Sequence, residues 1–90
     1  MYKIVLVTTE GCEACGIAED NIFSAISQSS INVAFDIKDF HKFSRQEQKL
    51  YKLRDYPTVL YFIDDTLVYS SVGTYPVPVY IRWIDMYFKN

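Results

Sequence analysis

Cys12 and Cys15, the only two cysteines of the chain, stand where one hydrophobic pattern gives way to another. Before them, Ile4-Val5-Leu6-Val7 is an unbroken apolar run rich in β-branched residues. It reads as a strand over residues 3–8 that is buried on both faces, because a half-exposed strand would alternate. Glu10-Gly11 breaks that run. After them, Cys15, Ala18, Ile22, Ala25 and Ile26 recur at i+3 and i+4 spacing, which is one stripe of an amphipathic helix reaching Gln28. Gly16 weakens this helix by about 1 kcal/mol relative to Ala, either as a point of close packing or as a tolerated cost. Ser29-Ser30 end the segment. The chain must therefore turn from a buried strand directly into a helix, with the cysteine pair at the turn.

The rest of the chain extends this unit. Residues 32–37 form a second strand, so strand, helix and strand make a right-handed βαβ unit with parallel strands. Ser44-Arg-Gln-Glu47 is a capping box that starts a second helix. Its apolar side is thin (Leu50, Leu53 and Tyr51), and it must stop by Tyr56 because Pro57 disfavours helix just before it. Residues 58–63 and 66–71 read as a β-hairpin around Asp64-Asp65. Gly73 and Pro76 punctuate the chain. A last helix spans residues 77–88, with Val77, Ile81, Ile84 and Phe88 on its inner stripe and Tyr80 and Tyr87 beside it. Pro78 falls within its first turn, where proline is tolerated. The order β-α-β-α-β-β-α is of the α/β class, a four-stranded mixed sheet with helices on both faces.

Length and charge narrow the class. Ninety residues suit one domain, 1–90, with one core and no second lobe. Half the residues are hydrophobic and 22% are charged, which excludes disorder. No apolar run approaches the ~18 residues of a membrane span. Met1-Tyr2-Lys3 and the four apolar residues after it are too short for a signal peptide, so an intracellular, cytoplasmic monomer is expected. A net charge of −2 gives no overall attraction to nucleic acid or to anionic membrane, and neither is expected as a partner. Lys38, Lys42, Arg45, Lys49, Lys52 and Arg54 read as a solvated face in preference to a polyanion site.

Two cysteines are too few for a disulfide scaffold. Together with His41 they make three ligands, short of the four of structural zinc, so no metal is expected. His41, in the polar stretch Asp39-Phe40-His41-Lys42, is expected to be exposed and without a catalytic role. The position of the pair favours redox chemistry. A helix N-terminus carries partial positive charge and unpaired N–H groups, both of which favour a thiolate at Cys12. Cysteines so placed have pKa values of ~3.5–7.5 against ~8.5 for a free thiol, and the thiolate is the form that attacks a disulfide. Cys15 lies one turn on, on the apolar stripe, within easy reach of disulfide geometry. Cys12 is thus the expected nucleophile and Cys15 the sheltered resolving thiol.

With Tyr56-Pro57-Thr58 entering the third strand and Gly73 following the fourth, nearly the whole chain resembles the thioredoxin-fold redox proteins, the thioredoxins and glutaredoxins. Residues 51–73 look like a thioredoxin segment read without a gap. The resemblance implies the sheet order 2-1-3-4 and a cis peptide bond at Tyr56-Pro57 facing the cysteines. It implies a substrate groove framed by Gly11, Tyr56, Pro57, Gly73 and Thr74, with Tyr56 and Tyr75 as exposed aromatic surface. It also implies a thiol–disulfide oxidoreductase of the electron-transport kind, with a redox-active Cys12–Cys15 disulfide and no bound cofactor. Its substrate would be a disulfide-containing protein or a small thiol compound.

The chain departs from both families around the pair. Thioredoxins usually have Trp before the first cysteine and Gly-Pro between the two, and many glutaredoxins have Pro-Tyr between them. Here Gly11 precedes and Glu13-Ala14 intervene. Glu10 and Glu13 oppose a thiolate, so the expected Cys12 pKa lies above that of the most acidic relatives and the protein is a reductant. The buried carboxylate of thioredoxins has no counterpart in Ile4–Val7. The acidic or serine helix start that holds glutathione in glutaredoxins is replaced by Gly73-Thr74-Tyr75-Pro76. The electron donor is therefore expected to be a thioredoxin-reductase-like flavoprotein. A glutathione-linked, glutaredoxin-like reductase is the alternative, its glutathione carboxylate held by basic residues of 38–54. Two further readings are a redox-idle interaction module and carriage of a soft ion such as Cu(I).

Overall fold

The sheet is built around β1 (Tyr2–Thr8). In this computed structural model, which describes residues 1–88, β1 pairs in parallel with β2 (Val33–Asp39) and antiparallel with β3 (Thr58–Ile63). β4 (Thr66–Val72) adds antiparallel to β3, giving the order β2-β1-β3-β4. This is the mixed sheet and strand order expected. Residues 89 and 90 of the expected domain lie outside the described residues. The turn between β3 and β4 places both Asp64 (φ 47°) and Asp65 (φ 67°) in the left-handed region. That is the geometry of a two-residue hairpin turn, and aspartate tolerates it better than most side chains.

Ile4, Val5, Leu6 and Val7 are all buried, as a strand covered on both faces requires. Alternation divides them between two cores. Ile4 and Leu6, with Val59 and Tyr61 of β3, pack against Ala18, Ile22 and Ala25 of α1 (Glu13–Gln28) and Tyr80, Ile84 and Phe88 of α3 (Val77–Phe88). Val5, Val7 and Leu60 face the other way, onto Phe43 and Leu53.

The second core departs from the sequence reading. α2 (Arg45–Leu50) has six residues, none of them buried, and Leu50 is 70% exposed. The capping box is present, with the Glu47 N–H donating to Ser44 Oγ and the Ser44 N–H to Glu47 Oε1. The helix ends early because the chain turns over at Lys52 (φ 54°). The N–H of Leu53 donates to Gln48 O and that of Lys52 to Lys49 O, the two bonds of a Schellman cap. A helix this short covers the sheet with its flanks instead of a stripe. Phe43 and Leu53 bury on either side of it, and Tyr51 sets its ring edge-on between Phe43 and Phe62.

α3 is rotated from the expected stripe. Tyr80 lies fully inside with Ile84 and Phe88, while Val77 and Ile81 are only partly buried. The Tyr80 hydroxyl accepts the N–H of Tyr75 at 3.2 Å, so its polar end is satisfied and the ring can bury. β2 runs on to Asp39, whose carboxylate caps a 3-10 turn at Phe40–Lys42 that the apolar pattern did not signal. Among the described residues no helix is long and apolar enough to cross a membrane.

One glycine sits where a helix prefers a side chain, and one side chain sits where a left-handed cap prefers glycine. Gly16 is exposed, and a Cβ there would meet nothing within 4 Å, so it serves no close packing. Gly16→Ala is expected to stabilise the fold by about 0.5–1 kcal/mol, read by urea unfolding. Lys52→Gly is expected to stabilise by a smaller amount, since the relief of left-handed strain is offset by a more flexible unfolded chain.

Candidate functional site

Strand polarity decides which loops meet. β1, β2 and β4 run in one direction and β3 in the other. The end of β1, the end of β2, the start of β3 and the end of β4 therefore share one edge of the molecule. That edge carries residues 9–15, the 3-10 turn after Asp39, Tyr56-Pro57 and residues 73–75.

The cysteine pair is positioned by the strand-to-helix turn. Gly11 takes φ +74° there, and a Cβ on it would meet nothing within 4 Å, so the backbone angle and not crowding demands glycine. Cys12 is the N-cap of α1, and its Sγ accepts the N–H of Cys15 at 3.1 Å. The two cysteines are joined as a disulfide, with Cα atoms 5.3 Å apart. Cys12 is partly exposed, whereas Cys15 is 4% exposed on the inner stripe. Glu13 stands in the first turn of α1, and both it and Glu10 are exposed.

At the same edge, the Tyr56–Pro57 peptide bond is cis and Pro57 is buried. The Tyr56 ring is partly buried, edge-on to Phe40 of the 3-10 turn at 5.5 Å. Desolvation, followed by the charges of Asp39 and Asp55, raises its phenol pKa above the ordinary value. The N–H of Gly73 (φ +100°) donates to Pro57 O at 2.8 Å. The next residue, Thr74, donates its hydroxyl to Ala14 O at 2.9 Å, between the two cysteines.

No family model matches the chain, and no curated protein does. Solved structures match it in shape. A mutant thioredoxin from Halobacterium salinarum aligns with a TM-score of 0.79 at 20% identity, over 96% of this chain and 74% of its own. Chlamydomonas reinhardtii thioredoxin f2 aligns at 0.78 and 16% identity, over 99% of this chain and 81% of its own. Thioredoxin-2, a component of the malaria parasite protein secretion machinery, aligns at 0.79 and 12% identity, over 96% and 82%. The chain has the thioredoxin fold.

Within this thioredoxin fold, Gly11, Cys12, Cys15, Tyr56, Pro57, Gly73 and Thr74 gather at the shared edge. Tyr75, like Tyr56, is partly exposed and is held by the protein's own groups. Its hydroxyl donates to Val72 O at 3.0 Å, and its ring lies edge-on to Trp83 with centroids 4.8 Å apart. The hydroxyl of Thr74 is likewise engaged within the protein. Arg45, Lys49, Lys52 and Arg54 line a separate hollow beside α2 with Gln48 and Leu53, and Lys38 lies over the Phe43 ring. His41 is exposed. Among the described residues no group of three or more His, Cys, Asp or Glu side chains is placed to hold a metal ion.

Two supports of the edge escaped the sequence reading. Asn21 donates its side-chain amide to Tyr75 O at 3.0 Å, and Tyr80 accepts from Tyr75 N. The available signal was a polar residue, Asn21, beside the apolar stripe of Ala18, Ile22 and Ala25. Gly11→Ala is expected to cost about 1–2 kcal/mol through its left-handed angle, and Gly11→Asn less, both read by denaturant midpoints.

Proposed function

We propose that the chain is a thiol–disulfide oxidoreductase that reduces its substrates through Cys12 and Cys15. The observation that carries this reading is the cysteine pair itself. Cys12 Sγ caps α1 within disulfide distance of Cys15, and the cis Tyr56–Pro57 bond stands at the same edge. In the reduced protein the Cys12 thiolate, favoured by the helix N-terminus and the Cys15 N–H, attacks one sulfur of a substrate disulfide. A mixed disulfide forms and the other substrate sulfur leaves as thiolate. Cys15, as thiolate, then attacks Cys12 Sγ. The substrate leaves fully reduced, and its two electrons have come from the pair, which is now the disulfide. A dithiol donor reverses the exchange.

Tyr56, Pro57, Gly73, Thr74 and Gly11 frame the groove in this reading, within one domain that acts as a cytoplasmic monomer. Thr74-Tyr75-Pro76 supplies no acid to hold the glutathione amine. Together with the separate position of the Arg45–Arg54 hollow, this favours a flavoprotein reductase as donor over glutathione. Assays with each donor in turn distinguish them.

Cys12→Ser is expected to abolish reduction of a protein disulfide. Cys15→Ser is expected to hold substrates as mixed disulfides with Cys12, recoverable on non-reducing gels. A pair that fails to cycle reversibly between dithiothreitol and a mild oxidant would overturn the redox reading in favour of an interaction module. Glu13→Gln is expected to lower the Cys12 thiol midpoint by about 0.3 pH by removing an anion from the first helical turn, measured by the pH dependence of alkylation.

A further inference from the structure

Thr74 and Cys12 are connected through a single peptide group. The hydroxyl of Thr74 donates to Ala14 O at 2.9 Å. The same peptide unit ends in the N–H of Cys15, which is shared between Cys12 Sγ at 3.1 Å and Cys12 O at 3.2 Å. A hydrogen bond received at a carbonyl draws electron density away from the amide nitrogen and makes its N–H a stronger donor. The atoms thus form one ordered series: hydroxyl proton, Ala14 carbonyl, Cys15 N–H, Cys12 sulfur.

Thr74 is well held for this purpose. Gly73, directly before it, is fixed by its N–H to Pro57 O at 2.8 Å. Tyr75, directly after it, is fixed at both ends of its backbone, by the Tyr80 hydroxyl on its N–H and by Asn21 on its carbonyl. The hydroxyl therefore reaches Ala14 from a clamped backbone.

The geometry points to Thr74 as a positioning residue that tunes Cys12 through the Ala14–Cys15 peptide group, strengthening a backbone donor that reaches the attacking sulfur. This rests on the redox reading above and gives Thr74 a role toward Cys12 in addition to its place in the frame of the groove. The effect belongs to the thiolate. A charged sulfur draws more from an N–H donor than a neutral thiol does, so polarising that donor favours the thiolate. The hydroxyl partly replaces the thiolate support that Glu10 and Glu13 oppose.

The experiment titrates Cys12 in a Cys15→Ser background, where it is the sole thiol, by ultraviolet thiolate absorbance. Thr74→Val keeps the side-chain shape and removes the hydroxyl. It is expected to raise the Cys12 midpoint by about 0.3–0.5 pH, a two- to threefold smaller thiolate fraction below the midpoint. Thr74→Ser, which keeps the hydroxyl, is expected to restore the parent midpoint. Asn21→Ala slackens the loop that carries the hydroxyl, and in the Thr74→Val background, where the hydroxyl is already gone, it is expected to add no further shift.

A Thr74→Val midpoint within about 0.1 pH of the parent would overturn the proposal, given the size expected for hydrogen-bond cooperativity. So would a further shift of the same size from Asn21→Ala in the Thr74→Val background, because loop slackening alone would then account for it. Disulfide reduction by the parent protein is scored separately, so a Cys12 that responds to Thr74 but exchanges with no disulfide counts against the redox reading alone.

Discussion

Burial of β1 on both faces is the constraint from which the rest of the molecule follows. A strand with four consecutive apolar residues needs a layer above and a layer below. α1 and α3 supply one layer, through Ala18, Ile22, Ala25, Tyr80, Ile84 and Phe88. The other layer is thinner, a short helix flanked by Phe43 and Leu53. An inner strand also needs a partner on each edge. Pairing β1 with β3 in the register Val7↔Thr58 brings Pro57 level with the end of β1, where the chain turns into α1. The placing of the proline at the same edge as the cysteines is thus a consequence of sheet register, and packing forces that act along the whole of β1 hold it in place.

The electrostatics at the end of α1 are opposed, and the opposition bears on the thiolate proposed for Cys12. The N-terminus of a helix favours an anion, whether it is the Cys12 sulfur or the Glu13 carboxylate beside it. Glu13 stabilises the helix in the same position from which it disfavours the thiolate. β1 offers no carboxylate under the pair, since Ile4–Val7 are all apolar, so control of charge at Cys12 falls to the helix end and the backbone around it. In that setting the Cys15 N–H carries weight, because it is a fixed donor at 3.1 Å from the sulfur.

Legibility in the sequence followed the kind of interaction. Burial patterns of regular elements were plain: Ile4–Val7, the stripe from Cys15 to Ala25, and both strands of the hairpin fall where the period of the residues puts them. The cysteine pair was plain because its meaning depends only on its place at a strand-to-helix turn. α2 was misread because its extent is set by a Schellman cap on a lysine, and sequence rules place glycine at such a position. α3 was misread by one position because the depth of Tyr80 depends on a hydrogen bond to Tyr75, which no periodicity encodes. The bond from Thr74 to Ala14 spans sixty positions and exists only after the sheet has closed. Local patterns predict elements, whereas contacts between loops arise from the tertiary fold.

The loop after β4 shows why such contacts matter. Gly73 holds the proline segment, Thr74 holds the first turn of α1, and Tyr75 is held by α1 and α3 together. Three consecutive residues thus tie the site to both helices of the larger core. Loops are ordinarily the mobile part of a fold, but a loop held by a hydrogen bond at each of three consecutive residues has little freedom left to lose. On the proposed redox reading, a disulfide substrate approaching this edge would meet a surface that is already formed, the ordering that would oppose its binding having been completed during folding. The Tyr80 ring, deep in the core and far from any sulfur chemistry in sequence, takes part in that readiness through its hydroxyl. In this protein the stability of the larger core and the geometry of the cysteine edge rest on the same few side chains.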